Sequence, residues 1–156
     1  MINIKEVEPA MEKRISLITL GVRDIKVSRK FYEALGFEAS PMSDDKIVFF
    51  QLLGMVLGLY PLKNLLEDTK LTDQTPVAGG ITLGYNTRRK EEVDEILESV
   101  ISAGVKVIAP ATETPWGAWT GYFTDPDGHP WEASYVPQFM PGPDGSLNLP
   151  TGDSEN

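Results

Sequence analysis

The residue order predicts an α+β fold made of two similar halves, each a strand, a helix and three further strands. Three observations carry this: a turn-rich hairpin towards the C-terminal end, one helix with near-ideal apolar spacing, and an order of elements that runs twice along the chain.

The hairpin lies in WGAWTGYFTDPDGHPWE, residues 116–132, which holds all three Trp and the only His. In Asp125-Pro126-Asp127-Gly128 the Pro presets φ, Asp can bond the local backbone, and Gly accepts positive φ. Strands are expected at residues 118–124 and 130–136. Period-two alternation puts Phe123, Trp131, Ala133 and Tyr135 on one face and Tyr122 and Glu132 on the other. If a helix covers the aromatic face, Glu132 points into whatever the opposite face encloses.

Residues 1–13 are mixed and polar and read as an N-terminal arm. A strand follows, with Ile18, Leu20 and Val22 on one face and Leu17 and Thr19 on the other. Asp24 is the expected N-cap of a helix whose apolar positions are Val27, Phe31, Ala34 and Leu35, and Gly36 suits its C-terminal end. A short strand near residues 37–40 precedes KIVFFQL and MVLGLYP, which read as paired strands ending at Pro61. Residues 62–77 form a polar connector with room for a helical turn.

The order then restarts with the strand ITLGYN and Thr87 as the expected N-cap. Glu91 and Glu92 suit the positive end of the helix dipole, and Val93, Ile96, Leu97, Val100 and Ile101 follow at helical spacing. Ala103-Gly104 closes this helix as Leu35-Gly36 closes the first, and VKVIAP leads into the hairpin. The expected organisation is one domain over residues 14–137: a first module at 14–61, the connector at 62–77 and a second module at 78–137. Residues 138–156, rich in Pro, Gly and Asp, read as an extended or disordered tail, or as a strap across a partner subunit.

Composition narrows the function classes. Of the 156 residues, 41% are hydrophobic and 24% charged, values of a globular domain. A net charge of -9 argues against nucleic acid or an anionic membrane as partner. With no Cys, thiolate catalysis and Cys-bound zinc are excluded, and a reducing cytoplasm is the expected location. The N-terminal residues lack the apolar core of a signal peptide, which fits the same expectation.

Three phrases in order, at residues 19–37, 84–110 and 116–132, resemble the vicinal oxygen chelate superfamily, which includes lactoylglutathione lyase, bleomycin-resistance proteins and extradiol dioxygenases. The resemblance implies two βαβββ modules whose sheets curl around a cup, in a homodimer, with a divalent metal chelated at the cup floor. Matching the motifs puts the family's four ligand positions at Leu17, at or beside Leu57, at or beside Gly80, and at Glu132. Only Glu132 carries a donor, so a member without metal or other cofactor is expected.

The remaining candidates have two readings each. Glu132 is a general base or ligand acceptor, or else an inherited carboxylate with a structural partner. Trp116, Trp119 and Tyr122 suit an aromatic wall for a ligand, although Trp119 shares parity with Phe123 and so also reads as core. Leu17, Thr19, Phe50, Leu57, Leu59 and Thr82 are expected to line the cup, against the alternative of a filled core. His129 reads first as a turn residue, and Arg23, Arg29, Arg88 and Arg89 as solvated charges at helix starts.

The leading functional expectation is a protein that binds a small apolar or aromatic molecule in a metal-free cup. A lactoylglutathione-lyase-like enzyme, with a shifted metal site or Glu132 as base, is the alternative. A protein-interaction module with a filled cup comes last.

Overall fold

A computed structural model describes residues 11–72, 80–138 and 140–149. Most of the expected arm, the end of the connector and the last residues of the tail lie outside these. The first half contains β1 (Leu17–Val22), α1 (Ile25–Ala34), β2 (Val48–Gln51) and β3 (Val56–Pro61), and the connector forms a helix, α2 (Leu62–Thr69). The second half contains β4 (Leu83–Asn86), α3 (Lys90–Ser102), β5 (Val107–Glu113), β6 (Trp119–Thr124) and β7 (Pro130–Tyr135).

The two sheets share a plan. One runs β1-β3-β2 and the other β4-β7-β6-β5, so in each half the first strand lies parallel beside the last. An isolated antiparallel bridge from Ala39 to Phe50 is all that represents β5 in the first half, at the place where a short strand was expected. The internal duplication therefore extends to strand order and pairing direction.

Local chemistry accounts for the helix ends. Asp24, with extended backbone, accepts from the amides of Lys26 and Val27 and caps α1. Gly36 and Gly104 take positive φ, 98° and 82°, just after α1 and α3. Thr87 does not cap α3, contrary to expectation. Its amide extends the sheet by donating to Ser134 O, its hydroxyl donates to Arg89 O, and the helix begins at Lys90. Three apolar assignments also change: Val27, Ala34 and Ile101 are exposed, while Ser28 and Tyr32 fill the buried face of α1 beside Phe31.

One core joins the halves. Leu20, Val22, Phe50, Leu57 and Leu59 of the first sheet cluster with Phe31 and Tyr32 of α1, and the cluster continues through Phe123 and Trp131 to Val93, Leu97 and Val100. Phe123 and Trp131 stack at 6.1 Å, and Tyr32 lies 6.0 Å from Trp131 across the seam. The polar ties of the seam meet in the turn of the second hairpin. Tyr32 Oη donates to Asp125 Oδ2 (2.8 Å) and accepts from Trp131 Nε1 (3.2 Å). Arg23 donates through its backbone amide and Nε to Asp127 Oδ1 and through Nη2 to Pro126 O. Arg23 is thus a clamp between halves as well as an exposed charge. Arg88 likewise donates to Gly142 O, which fixes part of the expected tail to the second half.

Candidate functional site

With α1 and α3 covering one face of each sheet, strand alternation assigns the residues of the other. In the first half this open face carries Leu17, Thr19 and Gly21 of β1, Val56, Gly58 and Tyr60 of β3, and Phe49 and Gln51 of β2, in mutual register. In the second half it carries Gly84 and Asn86 of β4, Glu132 and Ser134 of β7, and Thr120 and Tyr122 of β6. Glu132 stands between Gly84 and Tyr122 as Gly58 stands between Thr19 and Phe49. The carboxylate of one half is therefore replaced by hydrogen in the other.

Tyr122 Oη donates to Glu132 Oε2 at 2.6 Å, a cross-strand pair fixed by the hairpin register. The hydrogen bond to Glu132 raises the Tyr122 pKa, with burial adding to the effect, so the phenol stays a donor. Beside the pair, the hydroxyls of Thr120 and Ser134 share a buried hydrogen bond. In the first half α2 closes one end of the open face: a Cβ on Gly21 would come within 2.7 Å of Leu62, and Tyr60 donates to Asp68.

The expected site residues separate into two groups. Leu17, Thr19, Tyr122 and Glu132 lie on the open faces, and Thr82 is exposed one residue before β4, in phase with Gly84. Phe50, Leu57 and Leu59, expected in the cup, instead face α1 and are at most 1% exposed. The reason is that KIVFFQL and MVLGLYP are apolar on both faces, so alternation alone could not say which residues the helix would cover. Their neighbours Phe49, Gly58 and Tyr60 take the open face, and the signal that could have found them was phase with Thr19.

Trp119 packs on the helix side, with Nε1 donating to Asp94 and Lys90 Nζ 4.3 Å from the ring. Trp116 is exposed in the turn joining β5 to β6, separate from the Tyr122–Glu132 pair. His129 lies in the hairpin turn, its Nδ1 2.6 Å from Asp125 Oδ2, and does not join Glu132.

The metal of the family does not fit these donors. Leu17 offers none, the position beside Leu57 is Gly58, and Gly80, at a bend before β4, has no side chain to donate. Glu132 already accepts from Tyr122. Among the described residues no group of three or more His, Asp or Glu side chains could hold a metal ion.

Comparison with known proteins bears on the origin of this arrangement. The model of the glyoxalase/bleomycin resistance protein/dioxygenase superfamily matches residues 14–133. A glyoxalase-related enzyme from Fulvimarina pelagi is 33% identical, covering 90% of this chain and 100% of its own, with a TM-score of 0.80. A hypothetical protein from S. aureus is 26% identical over 81% of this chain and 96% of its own, with a TM-score of 0.70. A lactoylglutathione lyase from Agrobacterium tumefaciens, 21% identical over 80% of this chain and 95% of its own, shares the fold at a TM-score of 0.62. The comparison with curated proteins found no match. With the family model spanning both halves, the chain belongs to the glyoxalase/bleomycin resistance protein/dioxygenase superfamily.

Proposed function

We propose that this protein binds a small apolar or aromatic molecule, without a metal ion, in a cup formed where the open face of one half meets that of another half from a second copy. The make-up of the two faces carries the reading. Apart from Glu132, the strand positions named above are aliphatic, aromatic, glycine or uncharged polar residues. Such walls favour an organic guest, and Glu132, held by Tyr122, keeps one oxygen for a hydrogen-bond donor of that guest. A divalent cation would find one carboxylate where it needs several oxygen or imidazole ligands.

Completion by a second copy has separate support. Among the described residues β1 and β4 each end their sheet, and Ile15 and Ile81, two residues before them, are 65% and 74% exposed. Unpaired strand edges with apolar neighbours are favourable places for a second chain to add. A chain without Cys suits the reducing cytoplasm, where we place this homodimer.

A thermal-shift screen with planar aromatic compounds tests the reading. A true ligand at a hundredfold excess over its Kd stabilises by about 2.7 kcal/mol, and Glu132→Gln and Tyr122→Phe should diminish the shift. Metal analysis after dialysis against nickel or zinc, with an assay on the hemithioacetal of methylglyoxal and glutathione, tests the lyase alternative. Stoichiometric metal with turnover would replace our reading by that one. No shift with any compound would favour an interaction module.

A further inference from the structure

On the helix side, away from both open faces, a cleft of about 720 Å³ runs along the seam between the halves. Val27, Phe31 and Ala34 of α1 form one wall, and Val105 faces them from the loop before β5. Val27 is 51% exposed and Ala34 is exposed beside the buried Phe31, so the wall offers an apolar surface that the fold itself does not cover. Lys30 and Lys106 also line the cleft. Neither has a side-chain partner among the described residues.

The acids that line the same cleft are already engaged. Asp125 accepts from two backbone amides and from Tyr32, and it faces the His129 ring; Asp127, with its side chain 8% exposed, accepts from Arg23. Two uncompensated ammonium groups therefore share a lipophilic cleft in a chain whose net charge is -9. Charge complementarity and the apolar wall together select the occupant. We propose that this seam is a second ligand site, for an amphipathic anion: a phosphate monoester or carboxylate carrying a short hydrocarbon or aromatic body. The anionic head would lie between Lys30 and Lys106, and the body along Val27 and Ala34. The site is independent of the cup and does not rest on the cup's function.

Titration with octyl phosphate at low ionic strength, followed by calorimetry on the full chain, tests the proposal. Saturable binding is expected, with octyltrimethylammonium failing to compete. The double variant Lys30→Glu/Lys106→Glu should weaken it by at least about tenfold, because exposed charges are least screened under these conditions. Both lysines are exposed, so this variant should keep the parent's circular dichroism and melting temperature. Glu132→Gln should leave octyl phosphate binding unchanged. Absence of saturable binding, binding indifferent to the lysine variant, or binding that responds instead to Glu132→Gln would each overturn the proposal. The last of these would assign the probe to the cup.

Discussion

The Asp125 carboxylate accepts from the amides of Asp127 and His129 on one oxygen and from the Tyr32 hydroxyl on the other, where it also meets His129 Nδ1. Its side chain is fully buried at the seam, so it acts as a joint between halves more than as a local turn residue. Burial alone would raise its pKa, but the hydrogen bond and charge of His129 lead the opposing influences, and the net direction is down. For His129 the bond to Asp125 outweighs burial, and its pKa rises.

The signs set a pH window. The Asp125 contribution is present above its unperturbed value of 3.8 and is lost as pH falls through the lowered folded value. The His129 contribution is complete below 6.5 and is lost as pH rises through the raised folded value. Urea unfolding of the parent relative to His129→Gln should show the largest difference between 3.8 and 6.5 and a shrinking one at higher pH. Asp125→Asn removes a charge that several donors surround and should cost about 3 kcal/mol in the same measurement. A cost below about 1 kcal/mol would mean that the seam is held by its apolar contacts alone.

At the level of elements, glycine positions report how closely α3 sits on its sheet. A Cβ on Gly121 would come 2.6 Å from Leu97 and 3.2 Å from the Ala111 amide, whereas one on Gly84 would meet nothing within 4 Å. Gly121→Ala should therefore destabilise by about 1–3 kcal/mol as α3 is displaced, measured by denaturant unfolding. Gly84→Ala, on the open face, should be close to neutral and serves as its control. Asp24→Ala removes the acceptor that caps α1 and should cost about 1 kcal/mol. The caps and turns were legible because they depend on neighbours in sequence. The start of α3 was not, because the amide of Thr87 is drawn into the sheet by Ser134, far along the chain.

For the whole molecule, the expectation concerns assembly. If β1 and β4 edges of different copies meet, the parent should sediment as a dimer, and Ile15→Asp/Ile81→Asp should shift it towards monomer. The same variant should lose the ligand-induced rise in melting temperature, since each face would then lack the other. A parent that sediments as a monomer while still binding its ligand would remove the second copy from the site.

The residues themselves determined which side chains share a face, where α1 begins and ends, and that Tyr122 and Glu132 stand together, because turn chemistry and a period of two act over short stretches. Only the tertiary structure decided which face each sheet turns to its helix. In β2 and β3 both faces are apolar, so Phe50, Leu57 and Leu59 were buried by the approach of α1 and not by any pattern of their own. It likewise decided the partner of Asp125, since Tyr32 lies 93 residues away and burial, not proximity in the chain, makes that hydrogen bond count.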